Sequence, residues 1–263
     1  MKIASWNVNS LNVRLPHVER WCAESAPDVL ALQETKLADE KFPRDALAAL
    51  GYRCVFSGQK TYNGVAILAR TQPREIVTDV PGLDDPARRV LAATLDDGQS
   101  GQPLRIVDLY VVNGQSVGSE KYAHKLHWLA RVKDFLAAEL ARHPRMVVLG
   151  DFNIAPEDRD VHDPDAWREQ ILCSTPERDA LRAILDLGFA DSFREFTPDG
   201  GHYSWWDYRQ AAFRRNLGLR IDLVLVSAAL RPELKSAAID RTPRSWERPS
   251  DHVPVTIEVG NAA

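Results

Sequence analysis

The stretch VLGDFNIAP, residues 148–156, places Asp151 and Asn153 directly after a short apolar run. That run, residues 146–149, is apolar on both faces, which is typical of a strand in the buried middle of a sheet. A carboxylate so close to a buried strand is costly unless it is paired or bound to a cation. The stretch therefore predicts a sheet covered on both faces and a polar site at its edge.

Short apolar runs rich in β-branched residues recur on both sides of this stretch and predict further strands. Together with residues 146–149, the predicted strands span residues 2–8, 29–32, 53–56, 64–69, 90–95, 104–112, 221–226 and 253–259. Helical spacing of apolar residues predicts helices at 14–26, 119–142 and 176–187, the second with Ser119 as N-cap. Strands interspersed with helices predict a layered α/β or α+β fold.

The length of 263 residues is compatible with one or two domains, and the composition along the chain favours a single domain over residues 1–263. The chain is 44% hydrophobic and 27% charged, as expected for a globular protein with a core. Residues 94–103 and 156–164 are the most loop-like stretches, but neither has the composition of an interdomain linker. The net charge of −4 argues against a protein that coats nucleic acid by bulk charge alone.

The cysteines and the apolar runs predict the compartment. The three cysteines, Cys22, Cys54 and Cys173, are far apart, which fits neither a disulfide framework nor a zinc cluster. The first 20 residues lack the apolar segment of a signal peptide, and no run approaches 18 apolar residues. We therefore expect a cytoplasmic protein without a membrane span.

Polar residues at strand ends recur elsewhere in the chain. They are Asn7, Glu34, Asp222, and the adjacent Asp251 and His252. Any one of the acids could simply cap a helix or stabilise a turn. Together they favour a site for a hard cation, Mg²⁺ or Mn²⁺, which would neutralise phosphate oxygens. A histidine oriented by a carboxylate such as Asp222 could orient or deprotonate water, or donate to phosphate.

Charge is unevenly distributed along the chain. Residues 151–165 hold six acids and one base, whereas residues 209–220 hold four arginines and no acid. The basic segment follows Trp205, Trp206 and Tyr208, a pattern expected for phosphate contacts combined with aromatic stacking on nucleic acid. The alternative is an amphipathic helix with a solvated basic face and buried tryptophans.

These segments resemble the exonuclease III family of DNA repair nucleases, within the endonuclease/exonuclease/phosphatase superfamily. The matching segments are ASWNVNS (4–10), ALQETK (31–36), YNGVAIL (62–68), YVVNG (110–114), VLGDFNIAP (148–156), residues 205–209, GLRIDLVLVS (218–227) and SDHVPV (250–255). They occur in the family's order over nearly the whole chain. The resemblance implies a four-layered α/β (α+β) sandwich of two packed mixed β-sheets flanked by helices, with the site at one end.

The resemblance also implies roles for individual residues. Glu34 would be the principal Mg²⁺ ligand, assisted by Asn7 and Asp251. The remaining metal candidates are Asp151, Asn153 and His252. The implied catalytic set is Tyr110, Asp151, Asn153, Asp222 and His252. The implied substrate contacts are Asn9, Asn113, Trp205, Arg209, Leu219, Arg220 and Ile221, of which Trp205, Leu219 and Ile221 would line a pocket for an extruded sugar that lacks its base.

The implied function is a Mg²⁺-dependent DNA repair phosphodiesterase. It would act, as a monomer, on double-stranded DNA with abasic sites or 3′ ends, as an abasic-site endonuclease, 3′→5′ exonuclease or 3′-phosphatase. A bulky Leu172 near the DNA cleft would restrict internal sites and favour 3′ termini. Two alternatives stay open: a superfamily phosphoesterase acting on a phospholipid or inositol phosphate, and a non-catalytic nucleic-acid-binding module.

Overall fold

The computed structural model describes residues 1–83, 85–97 and 101–260. Residues 98–100, within the predicted loop at 94–103, and the last three residues of the predicted domain lie outside this description. The strands are β1 (Lys2–Asn7), β2 (Val29–Gln33), β3 (Arg53–Ser57), β4 (Val65–Ala69), β5 (Arg74–Val77), β6 (Val90–Asp96), β7 (Pro103–Tyr110), β8 (Met146–Asp151), β9 (Phe189–Asp191), β10 (Asp222–Ser227), β11 (Leu234–Ile239) and β12 (Val255–Val259). The α-helices are α1 (Leu11–Ser25), α2 (Arg44–Ala49), α3 (Glu120–Arg142), α4 (Pro164–Trp167), α5 (Thr175–Leu185), α6 (Ser192–Phe196) and α7 (Ala212–Arg215).

The strands form two six-stranded mixed sheets of similar design. One has the order β11-β12-β1-β2-β4-β3 and the other β5-β6-β7-β8-β10-β9. Each contains one parallel pair, β1 with β2 and β7 with β8, and its other neighbours are antiparallel. A long helix joins each parallel pair, α1 in the first sheet and α3 in the second, because parallel strands need a crossover connection.

Three apolar clusters hold the layers together. The two sheets pack face to face through side chains such as Ile3, Ile67 and Leu149. On the outer face of the first sheet, Trp6 packs with Trp21 of α1, and a third cluster joins α3 and α5 to the second sheet. The order helix, sheet, sheet, helix confirms the predicted four-layered sandwich.

The predicted strands are all present, with differences at their ends. The last begins at Val255 rather than residue 253, since Pro254 has no N–H for the ladder. The patterns missed β5, β9 and β11, which are short or only partly buried and so lack a clear apolar alternation. Ser119 caps α3 as predicted, its side chain accepting from the Tyr122 amide. Among the described residues, no helix is long and apolar enough to span a membrane.

Candidate active site

The site lies at one edge of the packed sheets, where several strand ends meet. Asn7 ends β1 and Tyr110 ends β7. Asp151 ends β8, where it is in register with Tyr110 on one side and with Asp222, the first residue of β10, on the other. Strand register therefore brings together side chains that are more than a hundred residues apart in the chain.

Asp151 is the centre of the hydrogen-bond network, and its side chain is buried. Its Oδ2 accepts from Asn7 Nδ2 at 2.9 Å and from Asn153 Nδ2 at 3.2 Å, while its Oδ1 accepts from the Asn153 amide at 2.9 Å. Burial raises the pKa of Asp151 to about 7, and the nearby carboxylates of Asp222 and Glu34 act in the same direction, against the opposing effect of His252. An acid that titrates near neutral pH can take up or give up a proton during a reaction.

His252 faces Asp151 and is held by Asp222. Its Nδ1–H donates to the two carboxylate oxygens of Asp222 at 2.9 and 3.1 Å, and its Nε2 lies 3.8 Å from Asp151 Oδ2. Burial lowers the pKa of His252, but the carboxylates of Asp222 and Asp151 outweigh this effect and raise it to about 10. The imidazole is therefore a cation that presents a second N–H to the site.

Ser204 orients the carboxylate of Asp222. The buried Ser204 hydroxyl donates to Asp222 Oδ2 at 2.6 Å and accepts from the backbone amides of Ile221 and Asp222 at 3.1 and 3.0 Å. The sequence reasoning missed this residue. A serine beside two tryptophans carries no signal by itself, since its partner is 18 positions away in the chain.

Three of the predicted residues fit a divalent cation by their chemistry. Glu34, Asp151 and His252 each offer one ligand atom, and these atoms lie within 4.8 Å of one another. Because Nδ1 of His252 faces Asp222, the donors that best suit a hard cation are the carboxylate oxygens of Glu34 and Asp151. Asn7 Nδ2 bridges them, donating to Glu34 Oε1 at 2.8 Å as well as to Asp151.

Lys36 supplies positive charge beside Glu34, and the sequence reasoning assigned it no role. Its Nζ lies 2.8 Å from Glu34 Oε2 and donates to Asn9 Oδ1 at 2.6 Å. Both Glu34 and Lys36 have positive φ, 53° and 54°, so the backbone here is not an extended strand, and their side chains meet in the salt bridge. The ALQETK segment quoted from the sequence was the available signal.

Asp251 lies beside this carboxylate pair, with its own set of donors. Its Oδ1 accepts from Asn9 Nδ2 at 2.9 Å and its Oδ2 from Trp205 Nε1 at 3.0 Å. Burial would raise its pKa, but His252, Trp205 and Asn9 together lower it below the usual value. Asp251 is therefore an ionised acceptor that links Asn9 to Trp205.

Tyr110 and Asn113 lie beside the network, at the end of β7 and in the loop that follows. Burial raises the pKa of Tyr110, and the carboxylates of Glu34 and Asp151 raise it further, so its hydroxyl keeps its proton. Asn113 Nδ2 donates to Asn153 Oδ1 at 3.0 Å, which joins this loop to the one after β8. The structure thus brings both residues to the predicted site.

The three residues predicted to form a sugar pocket lie in one apolar cluster. Leu219 and Ile221 are buried in it, and Trp205 packs against it. Leu172 belongs to the same cluster and is 5% exposed. Trp205 also lines an open cleft of about 380 Å³, together with Trp167 and Arg209.

The predicted DNA contact by Arg220 is wrong. Its side chain is 1% exposed and forms ion pairs with Asp160 at 2.6 Å and Asp191 at 2.7 Å, so it cannot reach a DNA backbone. Arg214 and Arg215 are exposed at the end of α7, and the exposed Arg209 pairs with Asp207 at 2.7 Å. The predicted basic segment therefore has three surface arginines rather than four.

The sequence model of the Endonuclease/Exonuclease/phosphatase family matches residues 4–252, nearly the whole chain. The chain belongs to this family. Among curated family members it is similar to exodeoxyribonuclease III of Haemophilus influenzae, with 35% identity over 98% of this chain and 99% of that one.

Two solved structures of this family are close to the fold described above. One is a 3′ phosphatase, NExo, from Neisseria bound to a product DNA hairpin, with 50% identity, a TM-score of 0.95, and coverage of 99% of this chain and 100% of that one. The other is an AP endonuclease from Archaeoglobus fulgidus, with 36% identity, a TM-score of 0.93 and the same coverage of both chains.

Proposed function

We propose that this chain is a divalent-metal-dependent DNA repair phosphodiesterase with 3′→5′ exonuclease, 3′-phosphatase and abasic-site endonuclease activity. The observation that carries the proposal is the Asp222–His252 pair, which directs a protonated imidazole toward Asp151 beside Glu34. A buried acid with a raised pKa, beside an imidazole that can donate a hydrogen bond to the site, suits the hydrolysis of a phosphodiester. The full-length similarity to DNA nucleases supports DNA as the substrate.

The cation would be Mg²⁺, with Mn²⁺ as a substitute. Glu34 would be the principal ligand, assisted by Asn7 and Asp251, and Asp151 and Asn153 would offer further oxygen donors. His252, also predicted as a ligand, would instead donate a hydrogen bond to the phosphate. When bound, the ion neutralises phosphate oxygens and stabilises the charge that develops on the leaving oxygen. Oxygen ligands and the absence of a cysteine among these residues favour Mg²⁺ over zinc.

The protein's own groups divide the reaction between them. Asp151 activates or orients the attacking water, or protonates the leaving group, and its pKa of about 7 supports either use. Asn153 orients the nucleophile and stabilises the charge on the phosphate. Tyr110 and Asn113 hold the scissile phosphate, and His252, fixed by Asp222, polarises it.

The DNA is bound by the surface around these groups. Trp205, Leu219 and Ile221 receive an extruded sugar that lacks its base, since no base pair has to be broken there. Arg209 contacts the backbone, and Asn9 contacts the substrate near Asp251. The bulk of Leu172 in the same apolar cluster supports a preference for 3′ termini over internal abasic sites.

The two alternative functions have less support. The full-length similarity to DNA nucleases weighs against a phospholipid or inositol phosphate enzyme. A non-catalytic binding module would not need the Asp222–His252 pair. We further propose that the protein forms a single domain over residues 1–263 and acts as a monomer. Its proposed location is the cytoplasm, where it associates with the nucleoid through DNA.

A side-by-side assay tests the proposed function. Labelled duplexes with an internal abasic site, a recessed 3′ end and a 3′-phosphate are incubated with the protein and Mg²⁺, with and without a chelator. We expect chelator-sensitive cleavage, fastest at the 3′-phosphate or the recessed end. If all three DNAs stay intact while a phosphoinositide is hydrolysed, the lipid alternative is correct. If the DNAs are bound but not cut, the protein is a binding module.

A further inference from the structure

A buried ion pair lies directly behind the candidate active site. Lys125 of α3 and Glu177 of α5 are both 0% exposed, and their side chains contact each other. Lys125 lies on the buried face of α3, among residues such as Trp128 and Val132. Burial of both charges costs several kcal/mol, which an ion pair repays only when its remaining donors and acceptors are also used.

Lys125 uses each of its three donors. Its Nζ donates to Glu177 Oε1, to the backbone oxygen of Asn153 at 2.7 Å and to the backbone oxygen of Asn113 at 3.1 Å. The side chains of the same two asparagines are joined by a 3.0 Å hydrogen bond, and Asn153 also contacts Asp151. One ammonium group therefore holds the backbone of both asparagine loops from behind.

Glu177 extends these contacts to the turn that carries Leu172. Its Oε1, besides accepting from Lys125, accepts from the Leu172 amide at 3.1 Å. Its Oε2 accepts from the amide and hydroxyl of Ser174 at 3.1 and 2.6 Å. The second set is an ordinary capping box for α5, but the first set has no part in helix capping.

The backbone that this pair contacts has positive φ at three positions. Gly114, at φ 90°, adopts this conformation readily, whereas Asn153 and Leu172, at 48° and 72°, are strained. Such conformations persist where the surrounding contacts enforce them. Gly114 is packed tightly, since an added Cβ would lie 3.0 Å from Lys125 Cδ and 3.1 Å from Ile171 Cδ1.

We propose that Lys125 and Glu177 are positioning residues for the reaction. The pair holds the Asn113 loop, the Asn153 loop and the Leu172 turn in one fixed arrangement, so phosphate contacts and substrate choice depend on the same buried contact. A further hydrogen bond, from the Ala155 amide to the Leu172 oxygen at 2.8 Å, joins two of these segments directly. The inference rests on the proposed function, because that function assigns the roles of Asn113, Asn153 and Leu172.

The main test is Lys125→Met, which keeps the length of the side chain and removes its donors. The matched control is Arg105→Met, which breaks another fully buried pair with α3, the one with Glu139. Glu139 lies 14 positions from Lys125, about 21 Å along the helix. Both substitutions should lower stability, but only Lys125 contacts the backbone of the candidate site.

We expect the single-turnover rate on a 3′-phosphate hairpin to fall about 100-fold in Lys125→Met, because small misplacements of reacting groups have effects of this size. The KM of Lys125→Met should change much less than the rate, since proposed DNA contacts such as Trp205 and Arg209 lie outside the loops that the pair holds. In Arg105→Met both the rate and the KM should stay within about threefold of the parent. An equal fall of the rate in the two variants overturns the inference.

A double variant separates positioning from stability. Lys125→Met with Glu177→Met leaves no unpaired buried charge and so regains part of the lost stability. Its rate should stay low, because the two asparagine oxygens still lack their donor. A rate that recovers together with stability shows that the pair has only a structural role. If Lys125→Met does not fold, Glu177→Gln serves instead, since an amide cannot accept from both Leu172 and Ser174 as the carboxylate does.

Amide hydrogen exchange gives a readout that does not depend on activity. Exchange at the Leu172 amide should accelerate in Lys125→Met and in Glu177→Gln, but not in Arg105→Met. Unchanged exchange in the first two overturns the inference. A parent protein that cuts no DNA contradicts the proposed function instead, and the exchange comparison still decides whether the pair holds the loops.

Discussion

Asp151 and Asp222 lie directly opposite each other on the antiparallel strands β8 and β10. His252 lies between them, with Nδ1 2.9 Å from Asp222 and Nε2 3.8 Å from Asp151. The two carboxylates have different surroundings, since Asp222 accepts from His252 and Ser204, whereas Asp151 accepts from amide groups of Asn7 and Asn153. The strand register that closes the sheet therefore also defines the polar site.

Asp222→Asn should lower the pKa of His252 from its value of about 10. The negative charge nearest to the imidazole is then gone, while burial, which lowers the pKa, is unchanged. The titration of the His252 ring protons by NMR, in metal-free protein, measures this change. Ser204→Ala, which keeps the Asp222 charge, should shift the pKa much less.

The same substitution alters the pH dependence of stability. The pKa of His252 is higher in the folded protein than in the unfolded chain, so the protonated imidazole stabilises the fold. This stabilisation is fully present below pH 6.5 and is lost as the pH rises toward 10. Urea unfolding at pH 6, 8 and 10 should show that loss in the parent and not in Asp222→Asn. If the difference in unfolding free energy between the parent and Asp222→Asn is the same at pH 6 and pH 10, the assigned charge of His252 is wrong.

Asp151→Asn should lower the turnover number by about 10²–10⁴-fold, because an amide cannot exchange a proton with water or a leaving group. DNA affinity should be retained, since Asn keeps the shape of the side chain and removes a negative charge near the phosphate. Single-turnover cleavage and fluorescence anisotropy measure the two quantities. Near-normal turnover would exclude Asp151 from proton transfer.

Divalent-cation affinity should rise with pH through neutrality. The pKa of Asp151 is about 7 in the absence of metal, so cation binding displaces a proton from a fraction of the molecules. Calorimetry of Mg²⁺ binding in two buffers with different ionisation enthalpies would show proton release near pH 7. Glu34→Gln should weaken binding more than Asp251→Asn does, and the reverse order would make Asp251 the principal ligand.

Leu172→Gly should raise abasic-site incision relative to 3′-end removal. The substitution opens the apolar cluster beside Leu219 and Ile221, and glycine readily adopts the φ of 72° found at this position. Paired rates on an abasic duplex and a 3′-phosphate measure the ratio. Leu172→Ala is the control for backbone flexibility and should change the ratio in the same direction. An unchanged ratio in both variants would contradict the hypothesis.

The surface and buried arginines should behave differently in DNA binding. Replacing Arg214 and Arg215 with Gln should weaken binding and reduce the slope of log K against log salt by about 0.9 for each lost phosphate contact. Arg220→Met should instead cost about 3–5 kcal/mol of stability, because Asp160 and Asp191 lose a buried partner. Its salt slope, measured on folded protein, should match the parent's. An altered slope in Arg220→Met would restore this residue as a DNA contact.

The apolar periodicity of the sequence by itself predicted a layered α/β or α+β fold, whereas the four-layered sandwich was implied by the resemblance to the exonuclease III family. Runs such as residues 146–149, apolar on both faces, require a sheet covered on two sides, and the face of α3 with Leu129 and Val132 requires a helix layer. Polar residues at these strand ends, Asp151 above all, were predicted to share a hard-cation site, since several carboxylates near buried strands are costly unless a cation or a partner offsets their charge. These features are local in the chain, so the sequence alone reveals them.

Only the tertiary structure decided which charged residues are exposed at the surface and which are buried as partners near the site. The pairing of Arg220 with Asp160, of Lys125 with Glu177 and of Ser204 with Asp222 spans 60, 52 and 18 positions. A charged or hydroxyl side chain looks the same in the sequence whether it is solvated or buried with a distant partner. Its role depends on the desolvation cost and on the partner that repays it, and both exist only once the chain has folded.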